Sequence, residues 1–272
     1  MLLLGKFKAA SLHGLITAVV ASFTALIVFV IWFPGEMSEM ARGSGLYRLV
    51  ILVELVLGPL MSLVIYNPRK PKVELFRDYL VIGLVQLSAF GYGLYAVSVS
   101  RPVYLVFVKD RIEVVAASEL GSDDLLKAAE EFQALPWLGP RWVCVEYPVD
   151  KYERSNLLMS ALEGKDIQLL PYYYRDCDNG EITSHSYSMQ NFPNLTPHSL
   201  DVLPVELLNE GFVWLPVVTR FGAWTVFFSG GDERQPVFIN LFPFNSSPVE
   251  DATQSSSINP QPGNASLTPQ SK

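Results

Sequence analysis

The feature that most constrains this chain is a run of 25 residues without an ionised side chain, Ala9 to Phe33. As a helix rising 1.5 Å per residue it is roughly 37 Å long, more than the ~30 Å hydrocarbon layer of a bilayer. A cleaved signal peptide is the rival interpretation, because Lys6 and Lys8 precede the run. Its apolar core would be too long, however, and Pro34-Gly35-Glu36 offers no small-x-small cleavage site. We therefore predict a membrane-spanning helix at residues 9–33.

Two more spans are expected after the first. Residues 46–66 and 79–99 are apolar, and only Arg48 and Glu54 are charged within them. The composition of the whole chain agrees, since 17% of its residues are charged against about a quarter in an average soluble domain. We therefore predict a membrane protein with three transmembrane helices.

Basic side chains fix the expected orientation. The segments 1–8 and 67–78 contain six of them, Lys6, Lys8, Arg69, Lys70, Lys72 and Arg77. Short loops rich in Lys and Arg stay in the cytoplasm, so we expect both segments to be cytoplasmic and the loop 34–45 to be periplasmic. Three crossings of the bacterial inner membrane then leave residues 100–244 in the periplasm.

Span two carries an acid at depth, Glu54, followed by Gly58-Pro59. An ionised carboxylate inside the hydrocarbon layer costs several kcal/mol unless it is paired, hydrated or protonated. Pro59 has no N–H to donate to the carbonyl of Leu55, so we expect the helix to be interrupted and kinked here. Two interpretations of Glu54 stay open. It either hydrogen-bonds a polar group of another span and orients the helices, or it belongs to a functional site.

Residues 100–244 are expected to form one small α+β domain. Residues 101–272 hold 12 basic and 22 acidic side chains, and this negative balance argues against a nucleic-acid partner. Hydrophobic periodicity and turn residues predict several strands and two or three helices. The strand segments are 103–108, 112–117, 141–147, 212–219, 223–229 and 236–242, and the helical segments are 124–132, 151–163 and 202–208. We expect loop at 171–198 and a disordered tail, rich in Ser, Pro and Asn, at 245–272.

Cys144 and Cys177 are the two cysteines of the chain. A disulfide between them suits an oxidising periplasm, and a metal site with His185 and His198 is the alternative. Since no close Cys or His pairs of the zinc kind occur, we expect no metal ligands. The sequence also lacks G-x-S-x-G, H-E-x-x-H, P-loop and dinucleotide motifs, and we predict a non-enzymatic protein without a cofactor.

Several motifs in the first half of the chain carry a family resemblance. They are Trp32-Phe33-Pro34-Gly35, Glu54-Leu55-Val56-Leu57-Gly58-Pro59-Leu60, Asn67-Pro68, Tyr92-Gly93-Leu94-Tyr95, Arg101-Pro102-Val103-Tyr104-Leu105-Val106-Phe107 and Asp110-Arg111-Ile112-Glu113-Val114-Val115. In this order, over roughly residues 7 to 120, the chain resembles the TfpX/TfpZ family of type IV pilin accessory proteins. Members of that family often carry Asp in span two, where this chain has Glu54, and the Ser- and Pro-rich tail also departs from their pattern.

The resemblance implies an inner-membrane accessory factor that promotes stability, assembly or surface display of the type IV major pilin. The bilayer and other pilus assembly components are further expected partners. On this hypothesis the bundle around Glu54, Gly58 and Pro59 holds the apolar pilin helix, and the acidic domain meets the pilin head. Arg101 and Tyr104, where the resemblance is strong, complete the expected partner-binding residues. Two other classes stay open, a periplasmic ligand sensor and a membrane-embedded enzyme that uses Glu54.

Overall fold

A computed structural model describes residues 2–67, 69–192, 204, 207, 211–230, 233 and 235–240. Its first part contains the helices α1 (Leu2–Leu26), α2 (Met37–Met40), α3 (Gly43–Ile65) and α4 (Lys72–Val99), and a π-helical turn at Ile27–Trp32 extends α1. The helices α1, α3 and α4 are long and apolar enough to cross a bilayer, and we call them the bundle. The sheet domain follows, which confirms the predicted order of three helices able to span a membrane and a domain of mixed helix and strand, predicted as α+β.

The first helix ends at a proline. Pro34 disfavours helical backbone at Phe33, and the Phe33 N–H donates to the carbonyl of Val28 at 2.8 Å as the chain leaves the helix. The Phe33 ring is fully buried. It lies so close to Gly43 that a Cβ on that glycine would be 2.4 Å from Phe33 Cδ1. This contact, which needs glycine, ties the end of α1 to the start of α3.

Helix α3 is not interrupted at Pro59, and that prediction was wrong. The helix continues through Pro59 to Ile65. The proline ring packs on α1, where Pro59 Cγ is 3.4 Å from the position that a Cβ on Gly14 would occupy. Membrane helices accept an internal proline because neighbouring helices pack around it.

Small and polar side chains join the three helices. The Tyr47 hydroxyl of α3 donates to the carbonyl of Ala21 in α1 at 2.5 Å and lies 2.7 Å from Thr24 Oγ1. One turn further along α3, Val50 meets Gly93 of α4, where a Cβ would be 2.7 Å from Val50 Cγ1. Such close approaches hold helices together in lipid, which supplies no hydrophobic drive between them.

Eight strands of the described chain form one sheet. They are β1 (Pro102–Val108), β2 (Arg111–Ala116), β3 (Arg141–Val145), β4 (Tyr174–Arg175), β5 (Tyr187–Ser188), β6 (Phe212–Thr219), β7 (Gly222–Ser229) and β8 (Pro236–Ile239). The order is β4-β3-β1-β2-β6-β7-β8, and β5 also pairs with β6. The predicted strands are present, and residues 241–242 of the last one lie outside the described residues. The two-residue strands β4 and β5 fall in the segment predicted as loop.

The sheet is mixed rather than purely antiparallel. Strands β1 and β2 form the predicted hairpin, whereas β1 and β3 are parallel, with Tyr104 opposite Arg141. Strands β2 and β6 are also parallel. Both parallel pairs join strands that are distant in the sequence. Because β1 and β3 run in the same direction, their carboxyl ends lie at the same edge of the sheet.

Three helices are described in the domain: α5 (Ser122–Leu125), α6 (Lys151–Leu162) and α7 (Glu181–Ser184). The predicted helix at 151–163 is present, and the Asp150 side chain caps it. The predicted helix at 124–132 is wrong, because Ala129 is extended (φ −57°, ψ 149°) and this turn of the chain carries Phe132 into the core. The predicted helix at 202–208 lies outside the described residues except for Pro204, which is not helical, and Leu207, which is, and the predicted tail at 245–272 lies outside them entirely.

The sheet packs directly on the bundle. One cluster of buried side chains includes Phe33 and Val97 from the bundle together with Leu105 and Phe107 from β1. The alternate residues of β1 belong to a second cluster on the other face of the sheet. Strand β1 starts three residues after α4 ends, so its first residues lie next to the end of the third apolar helix.

Candidate partner-binding groove in the membrane

A groove of about 630 Å³ lies between α3 and α4. It is lined by Val53, Glu54, Leu57, Met61, Ile65, Lys70, Arg77, Asp78, Val81, Ile82, Val85, Gln86 and Ala89. The lining residues of each helix recur at intervals of three and four, so they form one face of that helix. Most of these side chains are apolar, and Val53 and Leu57 are exposed. The α3–α4 groove is therefore a mostly apolar surface that α1, the third helix of the bundle, leaves uncovered.

Glu54 lies in the wall of this groove at the midpoint of α3. Eleven residues separate it from either end of the helix, about 16 Å by helix rise. No hydrogen bond or ion pair joins it to any residue that the structure describes, so the predicted bond to another span is not present among them. An ionised acid at such a depth costs about 2.5 to 3.5 kcal/mol on insertion scales. The groove wall therefore contains a carboxyl group that has no hydrogen-bond or ion-pair partner among the described residues.

The end of the groove at the α3–α4 loop is charged. Lys70 and Asp78 form an ion pair of 2.6 Å. Arg77 also lines the groove, and within the described chain it has no ion pair. A molecule lying along the groove would meet apolar walls over most of its length and charged groups at this end.

Gly58 and Pro59 lie behind the groove rather than in it. Gly58 is buried where a Cβ would be 2.8 Å from His13 Nε2 of α1 and 3.1 Å from Gln86 Nε2 of α4. Pro59 packs on α1, as described above. Both residues thus bring the three helices together, and the structure gives them no direct access to a partner in the groove. Of the predicted bundle residues, Glu54 alone lines it.

A polar cluster that was not predicted surrounds Gly58. His13 Nδ1 is 2.8 Å from Ser62 Oγ, and Gln86 Nε2 is buried without a hydrogen-bond partner among the described residues. The sequence signal for such a cluster is a polar residue inside each of the three apolar spans. Its assembly depends on helix rotation, which the residue pattern does not fix.

Arg101 and Tyr104 are buried and do not line the groove, and their predicted role in partner binding stays a prediction. Arg101 is 6% exposed, donates to the carbonyl of Ser98 at 2.6 Å and stacks on Trp137 with its guanidinium carbon 4.5 Å from the ring centroid. Tyr104 is 1% exposed and packs on Phe132 and Tyr174, and burial raises its pKa. Side chains packed in this way hold the domain together and reach a partner only through their neighbours.

The two cysteines are bonded to each other. The Cys144–Cys177 disulfide links β3 to the segment after β4, with an S–S distance of 2.07 Å. Because both sulfurs are used, the alternative in which they bind a metal with His185 and His198 does not hold, and His198 lies outside the described residues. The described part of the chain contains no group of three or more His, Cys, Asp or Glu side chains placed to hold a metal ion.

The matching family model and the matching relatives are all fimbrial assembly proteins. The family model for fimbrial assembly protein FimB matches residues 2–38, which include the whole of α1. Two relatives from Dichelobacter nodosus, the fimbrial assembly proteins of serogroup I and serogroup E1, are 32% and 31% identical over 164 residues. Each of these alignments covers 60% of this chain and 64% of the relative, so the chain matches less than two thirds of their length. No solved structure matches significantly.

A third relative is matched over nearly its whole length. It is the Dichelobacter nodosus fimbrial assembly protein of serogroups C1 and C2, which is 31% identical over 121 residues. That alignment covers 44% of this chain and 92% of the relative. With identity sustained across almost the entire relative, and with the FimB model matching the first span, this chain belongs to the fimbrial assembly protein family.

Proposed function

We propose that this protein is an inner-membrane accessory factor for type IV pili, which binds the major pilin directly and promotes its stability, assembly or surface display. The fimbrial assembly relatives support a role in pilus biogenesis. The resemblance to the TfpX/TfpZ family supports the finer assignment to a pilin accessory protein with a chaperone-like action. The observation that carries the proposal is the α3–α4 groove with Glu54 in its wall.

A single apolar helix is the occupant that this groove fits best. Type IV pilins wait in the membrane as one apolar helix with a periplasmic head, and such a helix can enter laterally from the lipid. Val53, Leu57 and Val85 would pack on it, and the polar residues of the groove would meet any hydrogen-bond donor that it carries. In a bilayer the gain comes from close packing and from satisfying polar groups, since lipid already surrounds apolar surfaces.

Photo-crosslinking amino acids test this groove. We expect probes at Val53, Leu57 and Val85 to give adducts with pilin in cells. A probe at Leu52 is the matched control, because that exposed residue neighbours Val53 and does not line the groove. Adducts at Leu52 as strong as those at Val53, or none at any of the three groove positions, would contradict pilin binding in the groove.

The proposed contact with the pilin head involves the sheet domain. Helix α6 supports this, because it presents an exposed face of Tyr152, Leu158, Met159 and Leu162. None of the residues of α6 is fully buried, so the helix covers little of the core and leaves its apolar face for a partner. A probe at Leu158 should crosslink the pilin head, whereas one at the equally exposed Leu126, which lies outside α6, should not.

The proposed orientation places residues 1–8 and 67–78 in the cytoplasm and the sheet domain in the periplasm. Cysteine labelling in the full chain tests it, because the two native cysteines are bonded and do not react. Val149→Cys should react with a membrane-impermeant maleimide in cells whose outer membrane alone is permeabilised. Lys72→Cys should react only after lysis. The reverse pattern would overturn the orientation.

A second candidate, a periplasmic ligand sensor, has one observation in its favour. A cleft of about 490 Å³ lies at the carboxyl ends of the parallel strands β1 and β3, where open α/β sheets often bind ligands. Lys109 and Arg154 line it without ion pairs to the described residues. Arg175 already pairs with the acid in the lining, Glu181, and holds its pKa below the ordinary value. Stabilisation of the protein by small carboxylates, abolished in Arg154→Gln, would favour the sensor.

A further inference from the structure

The loop that leads into β3 lies against the end of the first span. A Cβ on Gly139 would be 3.4 Å from Pro34 Cγ and 3.7 Å from the carbonyl oxygen of Ile31. Beside it, the rings of Trp137 and Trp32 have centroids 6.3 Å apart. Residues 136–139, which we call the anchor loop, are therefore at the level where α1 leaves the hydrocarbon layer.

Arg101 fixes the anchor loop to the third span as well. Its guanidinium stacks on Trp137, donates to the carbonyl of Pro136 at 3.4 Å and donates to the carbonyl of Ser98 at the end of α4. Since Arg101 is itself buried, this connection is shielded from solvent. The loop is thereby held between the ends of two spanning helices.

In this position the loop exposes large apolar side chains. Trp137 is 62% exposed and Leu138 is 85% exposed. Residues 134–140 carry no charge. Large apolar side chains at the membrane boundary would face water unless lipid covers them, and Trp is the residue that favours this boundary.

We propose that the anchor loop is a lipid-binding site, which inserts Leu138 and Trp137 into the boundary between the headgroups and acyl chains. The occupant is lipid rather than protein because the loop is continuous with the ends of two spans. The indole of Trp137 spans the boundary beside Trp32, and Leu138 reaches into the acyl chains. Arg101 is a positioning residue for this contact, which gives a role to a residue that the domain buries. The site does not depend on pilin binding.

The anchor loop would fix the tilt of the sheet domain on the membrane. Strand β3 starts at Arg141, just after the loop, and runs parallel to β1, whose first residue follows the end of α4 by three positions. Two attachments, the covalent one through α4 and the lipid contact through the loop, leave the domain less freedom to rotate than one. The carboxyl ends of β1 and β3 would then be held at a constant height above the membrane.

Spin labelling in nanodiscs tests the proposal on the full chain. Leu138→Cys places a nitroxide on the anchor loop, and Val149→Cys places one on a residue that is equally exposed, at 84%, beyond the far end of β3. That strand alone separates its two ends by about 13 Å. The native disulfide leaves the introduced thiol as the reactive one. Both substitutions replace exposed side chains, so we expect both variants to fold.

We expect the label at residue 138 to be accessible to oxygen, which concentrates in lipid, and protected from a water-soluble nickel chelate. The ratio of the two accessibilities should be several-fold higher at residue 138 than at residue 149. Equal ratios at the two positions would place residue 138 in water and overturn the proposal. Protection of residue 138 from both reagents would show a protein contact and would overturn it as well. Arg101→Gln should lower the ratio at residue 138 and leave residue 149 unchanged.

Discussion

The bundle and the sheet domain differ in whether their buried and half-buried charged groups have ion-pair partners. In the domain, Arg141 bonds to both Glu131 and Asp176 at 2.6 and 2.7 Å, and the buried Asp124 pairs with Lys165. In the bundle, the acid at the midpoint of α3 lines an open groove and has no partner among the described residues.

The two regions also differ in how completely their apolar side chains are covered. The core of the domain is a dense set of aromatic contacts, such as those of Phe192 with Phe212, Trp214 and Phe227, and a disulfide links it further. In the bundle, α1 packs on α3, whereas the groove between α3 and α4 is lined by exposed side chains. The aromatic core of the domain is thus covered by its own side chains, whereas the bundle leaves an apolar groove open.

The largest expected effect concerns the stability of the domain. The Cys144–Cys177 bond closes a loop with a sequence separation of 33, so replacing both cysteines by Ala should cost about 3 to 4 kcal/mol by loop entropy. Urea unfolding of the purified protein in a mild detergent, followed by near-ultraviolet circular dichroism, measures the loss. The helical signal of the bundle should survive to the same urea concentration in both proteins. Simultaneous loss of both signals would show that the two regions unfold as one unit.

The next effect concerns the packing of α3 on α4. Gly93→Ala places a Cβ 2.7 Å from the stiff side chain of Val50, and overpacking of this kind costs about 1 to 3 kcal/mol. Gly91→Ala is the matched control, because nothing lies within 4 Å of its Cβ position, and it should be neutral or slightly stabilising. Unfolding of the bundle by titration with a denaturing detergent compares them. Equal stabilities would mean that α3 and α4 do not pack as described.

A smaller effect is expected at Glu54, which lines the groove proposed to bind pilin. Glu54→Gln keeps the size of the side chain but loses the charge-assisted part of any hydrogen bond, about 1 kcal/mol or roughly fivefold in pilin binding. Crosslinking from Val53 measures the change, and Glu74→Gln, at the exposed start of α4, is the control. Bundle stability should not fall. A complete loss of piliation with normal crosslinking would instead favour an enzymatic role for Glu54, and unchanged crosslinking with unchanged piliation would make the acid structural.

Much of the fold follows from local sequence patterns. The long uncharged runs predict the spanning helices, and alternation predicts β6 and β7 closely, because each of these properties is decided within a few neighbouring residues. The parallel pairing of β1 with β3 was not predictable in this way, since it joins strands separated by 32 residues of connecting chain. The helix expected at 124–132 failed because tertiary contacts of Phe132 override local helical spacing.

The site was predicted less completely than the fold. Glu54 stands out because an ionised acid within an apolar span costs free energy whichever way the helix is rotated. Gly58 and Pro59 stand out in the sequence, but which side of α3 they occupy depends on how the helices rotate against each other. Tyr104 belongs to a distinctive motif, and a motif does not reveal whether its side chain points to the surface or into the core.

The smallest expected effect tests the charge pairing of the domain by pH. Arg175 donates to both oxygens of Glu181 at 2.9 and 2.5 Å and holds the pKa of that carboxyl below its ordinary value of 4.5. A lowered pKa in the folded state means that the ionised form stabilises the domain above pH 4.5. The contribution is lost as the pH falls through the lowered value. For a pair near the surface it is below about 1 kcal/mol.

Glu181→Gln should therefore reduce the free energy of unfolding at neutral pH and make no difference well below pH 4.5. Glu163→Gln is the control, because Glu163 is exposed and has no ion pair within the described chain, and it should behave like the unmodified protein at both pH values. If Glu181→Gln destabilised the domain equally at both pH values, the carboxyl would act through its shape and neutral hydrogen bonds. The contrast between the paired charges of the domain and the unpaired Glu54 of the bundle would then rest on the Arg141 and Asp124 pairs alone.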